Sequence, residues 1–108
     1  MKQPVRIVFR TALRGAPAVG PGLRVALYQG QGPAGCREAV RQNMDRLAEV
    51  TAIAAAYECQ VVVSPEKYTT GYAIDLDQCR ELAEHREGPS VDRARLAAKK
   101  NNLAVVLP

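Results

Sequence analysis

The chain has no apolar run approaching the roughly 20 residues that a membrane-spanning helix needs. Its one short candidate, Val5 to Leu13, is broken by Arg6 and Arg10. It has no close cysteine pair either: Cys36, Cys59 and Cys79 are odd in number and far apart, which argues against a disulfide framework or a CxxC site. They read as reduced thiols of an intracellular protein. Nor is there an acid before residue 23, where Lys2, Arg6, Arg10 and Arg14 hold the whole excess behind the net charge of +4; the other eleven bases are matched by eleven acids. A body that is electrically neutral, without a basic stripe interleaved with aromatics, gives nucleic-acid binding little support.

What is present is an ordinary globular composition. With 108 residues, 47% of them hydrophobic and 24% charged, the chain suits one small domain with a modest core. Residues 1–22 carry Pro4, Pro17 and Pro21 with Gly15, Gly20 and Gly22, and they read as a flexible basic extension. Their Arg-rich, acid-free character also fits a mitochondrial presequence. The lack of Ser there and the shortness of the amphipathic stretch favour a cytoplasmic protein with a loose tail.

Residues 23–108 alternate between strand and helix signals. Leu23 to Gln29 is a short, nearly continuous apolar run, as in a buried strand. From Cys36 to about Glu58, Val40, Met44, Leu47, Val50 or Thr51, Ala54 and Tyr57 recur at three-to-four-residue steps, which predicts one long amphipathic helix. Cys59 to Ser64 contains Val61-Val62-Val63, a β-branched run stiff at χ1 that predicts a second strand. Asp75 to His85 reads as a short helix, and Glu87-Gly88-Pro89 breaks it. Ser90 to Asn101 reads as another helix, with Ser90 as N-cap and Asn101-Asn102 as its stop, and Leu103 to Leu107 as a third strand. Strand, helix, strand, helix, strand predicts an α/β layer with helical crossovers.

One carboxylate stands at the address where such layers collect ligands, outside the carboxyl end of a strand. Glu66 directly follows Val61-Val62-Val63-Ser64-Pro65, and Thr69, Thr70, Gly71 and Tyr72 come just after it. A carboxylate partly desolvated at that edge is a candidate general base. The plainer alternative is a solvated loop acid or a partner of Lys67.

Other candidates are weaker. His85 has no second His or Cys at ligand spacing and reads as a surface or helix-end histidine, not a metal ligand. Gly30-Gln31-Gly32-Pro33-Ala34-Gly35 superficially matches GxGxxG after a strand, but Pro33 and the absence of a suitably placed acid weaken dinucleotide binding. Arg37, Glu38, Arg41, Asp45 and Arg46 read as the solvated side of the long helix, and each cysteine as a small half-buried side chain.

LRVALYQ, a helix containing Asn43, VVVSPEKYTTGY, Glu87-Gly88-Pro89 and a helix leading into LAVVLP occur in an order and spacing that resemble the first part of the nitrilase superfamily of carbon-nitrogen hydrolases, over about Leu23 to Pro108. The resemblance implies an α-β-β-α sandwich, here partial, with its sheet ending after about three strands. It implies a Glu-Lys-Cys triad that hydrolyses small amides or nitriles without a metal or cofactor, in an enzyme that is a homo-oligomer. Only Glu66 matches a triad position. The family's Lys and Cys are expected beyond Pro108; Lys67, Cys36, Cys59 and Cys79 do not match them, so the chain by itself is expected to be inactive. Tyr72 is the candidate substrate contact, and Gln29 and Asn43 match positions read as structural, holding loops and helix ends by hydrogen bonds. A sheet cut in this way is expected to leave one apolar face uncovered. A non-catalytic domain that binds a full-length homologue is the alternative from another class, and a small nucleotide-binding α/β module is a third.

Overall fold

The computed structural model describes residues 3–8 and 22–108. Most of the basic extension, including Arg10 and Arg14, lies outside the described residues. In chain order the elements are β1 (Val25–Leu27), α1 (Arg37–Ala56), β2 (Val61–Val63), α2 (Leu76–Leu82), α3 (Pro89–Asn101) and β3 (Ala104–Val106). The chain is a small α/β domain.

The strands form a parallel sheet in the order β1-β2-β3, with Ala26 opposite Val62 and Val62 opposite Val105. Parallel neighbours cannot be joined by a tight hairpin, so each connection carries a helix. Both steps move the same way across the sheet, which brings α1 and α3 back onto the same face. There Val50 and Ala54 of α1 bury Val62, with Ala26, Tyr28 and Leu103 against them. Met44 and Leu47 of α1 meet Ala94 of α3 and Tyr68, with Val105 and Leu107 alongside. Leu47 is fully buried, and its truncation to Ala would cost about 2–5 kcal/mol.

The period-2 alternation of the strands leaves the opposite face bare. Val25, Leu27, Ala104 and Val106 flank the helix-facing Ala26 and Val105 and are exposed, Leu27 to 78%. The uncovered apolar face expected from the sequence is therefore present.

The sequence sets the element ends through local chemistry. Cys36 is the N-cap of α1, and Glu58, at φ 60, turns the chain out of the helix. Arg41 bridges Glu38 and Asp45 along the solvated side of α1, as the charge pattern predicts. Arg46 departs from that reading. Its side chain is only 17% exposed, is paired with Glu49, and donates to the carbonyl of Gln3, while Val5 packs against the core. Asp75 caps α2 in a reciprocal pair with Gln78, two orphan helix donors being satisfied at once. The expected cap of α3 is corrected: Gly88, not Ser90, is the N-cap, because Pro89 with its fixed φ already takes the first helical position. Asn102 ends α3 in the left-handed region at φ 50, in line with the expected stop. β1 and β3 are shorter than their apolar runs suggest, while β2 coincides with its three valines.

Candidate active site at the carboxyl end of the middle strand

β2 lies between the other two strands, and both grip its end. Tyr28 N donates to the Val63 carbonyl at 2.8 Å, and Ser64 N donates to the Val106 carbonyl at 3.0 Å. The buried Ser64 hydroxyl reaches the same carbonyl at 3.2 Å. The chain then turns: Tyr68 N donates back to the Pro65 carbonyl at 3.2 Å, and Gly71 N to the Lys67 carbonyl at 2.9 Å. Lys67 closes this turn at φ 52, a conformation a non-glycine residue adopts at a cost, and Gly71 follows at φ 87. Glu66 is carried on the first bend.

A second loop braces the first. Asn43, buried in the middle of α1, donates through Nδ2 to the Pro33 carbonyl at 2.9 Å and the Thr69 carbonyl at 3.1 Å. Both partners are acceptors, which fixes which way the amide faces. Its Oδ1 is buried with no partner among the described residues and points at Gly32, where a Cβ would overlap it. Gly35 N donates to the Thr70 carbonyl at 3.0 Å, and a Cβ on Gly71 would run into Ala34. The role expected of Asn43, holding loops by hydrogen bonds, is met. The Gly30–Gly35 segment thus uses its glycines and backbone to fit against the Glu66 loop, which accounts for the spacing that superficially suggested a dinucleotide motif.

Side chains of the loop divide between inside and outside. Tyr68 points inward and is 4% exposed, its ring edge-on to Tyr28 at 5.1 Å between centroids, with the two hydroxyls 3.2 Å apart. Burial, and after it the bond to Tyr28, pushes the Tyr68 hydroxyl well above the usual tyrosine range. Glu66, Lys67 and Tyr72 are exposed, and Lys67 Nζ stands 5.3 Å above the Tyr72 ring. The partial desolvation expected for Glu66 is therefore not supplied by the described residues, because nothing packs over the loop from the bare side.

A cleft of about 310 Å³ opens beside the loop at this end of the sheet, lined among others by Lys67, Thr69, Thr70, His85, Ser90 and Leu107. A larger concavity of about 530 Å³ lies at the opposite end, around Gln60, Asn102 and Leu103, at the amino ends of β2 and β3. Chemistry in α/β layers belongs at the carboxyl ends, so the smaller cleft is the relevant one. Among the described residues no three His, Cys, Asp or Glu side chains gather as a metal site, and no helix is long and apolar enough to cross a membrane. Cys36 and Cys79 are exposed, contrary to the half-buried state expected of them, and Cys59 precedes β2 at the end away from Glu66.

The family model described as Carbon-nitrogen hydrolase matches residues 24–108. The chain belongs to that family. No curated protein and no solved structure matches it. The matched segment runs from the start of β1 through β3 and includes Glu66, Tyr72 and both braced loops. The Tyr28–Tyr68 contact is not legible in the sequence. Its only signal is a tyrosine two places after Glu66, and its partner, the residue just past β1, reads as one more apolar position of the Leu23–Gln29 run.

Proposed function

We propose that this chain supplies the general-base carboxylate, Glu66, of a hydrolase that cleaves carbon-nitrogen bonds of small amides or nitriles through a Glu-Lys-Cys triad. The observation that carries this reading is the framing of Glu66. It sits at the carboxyl end of the middle strand, on a turn braced by Asn43, Gly35 and Tyr68, in a chain of the carbon-nitrogen hydrolase family.

In that mechanism Glu66 takes the proton from a cysteine thiol, because the thiolate and not the thiol is the nucleophile. The thiolate bonds to the amide or nitrile carbon, and a lysine ammonium balances the negative charge that develops on the carbonyl oxygen or nitrile nitrogen. With an amide, the C–N bond breaks and the nitrogen leaves with the proton that Glu66 had taken. With a nitrile, the thioimidate first takes up one water and loses its nitrogen as ammonia, and both routes reach the same thioester. Water, deprotonated by Glu66, then attacks the acyl-enzyme and releases the acid. Lys67 does not fill the lysine's role, since its ammonium is turned onto Tyr72. Cys59 sits at the wrong end of β2, Cys36 is the N-cap of α1 and Cys79 lies within α2, none at the end of a strand beside Glu66, so this reading takes the triad's Lys and Cys from elsewhere. Tyr72, 71% exposed and on the same loop as Glu66, offers an aromatic surface for the substrate.

The bare face fits the inner side of an α-β-β-α sandwich, with a second layer over Leu27 and Val106 that would also desolvate Glu66. The same face favours one other reading, a non-catalytic domain that pairs with a full-length homologue. Stoichiometric co-purification with an intact hydrolase supports that second reading, and recovery as monomer or aggregate counts against it.

The decisive test is Glu66→Gln in the full-length gene product. Turnover is expected to fall by about a hundredfold or more, the usual weight of a general base, with the far-UV circular dichroism unchanged. Retained turnover overturns the assignment. Reading the gene beyond the codon for Pro108 tests the triad itself, which requires a Lys and then a Cys in strand-end contexts.

A further inference from the structure

Tyr68 is the one buried residue of the turn 65–71 that carries Glu66, and it is neither a plain apolar anchor nor a solvent contact. Its backbone N–H closes the turn onto Pro65, so Glu66 lies inside the hydrogen-bonded ring that Tyr68 completes. Its hydroxyl meets that of Tyr28 at 3.2 Å. Tyr28 is in turn tied to β2 by its own N–H on Val63. The hydroxyl pair therefore links the residue that follows β1 to the turn, beside Met44, Leu47 and Ala94.

Phenylalanine at both positions would fill the same space without burying a hydroxyl. Hydroxyls in such a setting weaken a core unless they are bonded, and what their bond adds is direction. We propose that the Tyr28–Tyr68 hydroxyl pair is a positioning device that sets the aim of the Glu66 carboxylate from the neighbouring strand. Tyr28 and Tyr68 touch no reacting atom. They act through the turn, by limiting rotation of the Tyr68 ring and hence the orientation of the bend at Glu66. This rests on the reading of Glu66 as the base.

The test uses Tyr28→Phe, Tyr68→Phe and the double variant in the full-length gene product, with Glu66→Gln alongside. Each single variant is expected to keep KM close to the parent and to lower the thermal midpoint, because one hydroxyl is left without its partner, while kcat falls on the order of tenfold, since small misplacements of a reacting group are expensive in rate. The double variant is expected to lose no more than either single, because one bond is broken in all three. Unchanged kcat in the single variants, or losses that multiply in the double, overturns the pairing. If Glu66→Gln itself keeps full turnover, the reading of Glu66 has failed, and the pair is judged on amide hydrogen exchange of residues 66–71. Exchange must then speed at least about tenfold in either single variant for the pair to stand as what holds this turn, since local opening sets exchange rates. Unaltered exchange overturns it.

Discussion

Asn43 Nδ2 donates to the carbonyl of Thr69 at 3.1 Å, which ties the middle of the longest helix to the loop three residues past the candidate base. The same nitrogen holds Pro33 on the preceding loop, so one amide sets the spacing between two loops that share no strand. Asn43→Ala removes both bonds and leaves two carbonyls without a donor. We expect a loss of about 2–3 kcal/mol in urea unfolding followed by circular dichroism. Asn43→Asp should lose at least as much, because it sets a carboxylate against the carbonyls. A midpoint within error of the parent for both variants would show that the clamp carries no weight.

Gly32 and Gly71 are expected to resist the smallest possible change. A methyl on Gly32 overlaps Asn43 Oδ1, and one on Gly71 meets Ala34 with φ already at 87. Each Gly→Ala variant should destabilise the domain by about 2 kcal/mol or more, from overlap alone at Gly32 and from overlap with left-handed strain at Gly71. Gly22→Ala is the comparison: φ is 82 but nothing lies within 4 Å of its Cβ, so only the conformational cost of about 1 kcal/mol remains. Equal losses at all three positions would refute the close-approach explanation.

Lys67 is the reverse case, a residue with a side chain in a conformation that suits glycine or asparagine, at φ 52. Lys67→Gly should be neutral or stabilising by up to about 1 kcal/mol, less the cation–π contact with Tyr72, and Lys67→Val should cost about 1–2 kcal/mol. Chemical denaturation of the pair checks this. A Lys67→Val protein as stable as the parent would mean that the turn relaxes freely.

The pH dependence follows from Tyr68. Burial raises its folded-state pKa above the unfolded value of about 10, so folding favours the protonated phenol. That contribution is complete below the unfolded pKa and is lost as pH rises through the folded one, because the unfolded chain ionises first. Stability should therefore decline above about pH 10, and Tyr68→Phe should flatten that decline. Tyrosinate absorbance measured alongside thermal unfolding tests it, and an equally steep decline in the variant would assign the effect to another group.

Leu27→Lys separates an open sheet from a covered one. In the 108-residue chain the substitution should change stability by no more than about 0.5 kcal/mol, as for surface sites generally. In a full-length gene product whose second layer covers Leu27, it should cost several times that, because a charge would be buried. The same small effect in both proteins would contradict the sandwich.

Element order was legible because each signal was local. Valines 61–63 could hardly pack as anything but a strand, the spacing from Val40 to Ala54 had one helical face, and Asn102 stops α3 by a property of its own backbone. Glu66 and Asn43 could be singled out because family spacing marked them. Distances across the fold could not be read. Tyr28 and Tyr68 are 40 residues apart, and each fits its own local pattern well, so nothing local shows that their hydroxyls meet. Leu96 is the converse: a large apolar residue of α3, it is 67% exposed, while Ala94 and Ala97 are the buried positions of that helix. The cap of α3 was displaced because proline geometry outranked a serine hydroxyl two places later.

β2 is the middle strand, and this has an evolutionary reach. Strands can be appended beside β1 or beside β3 while Glu66 keeps its two immediate neighbours and its braced turn. The outer rims of the sheet are thus free to diverge, and new loops added there can reshape what the cleft accepts without disturbing the carboxylate's own frame. Substrate range and basic machinery are separable inheritances in such a layer.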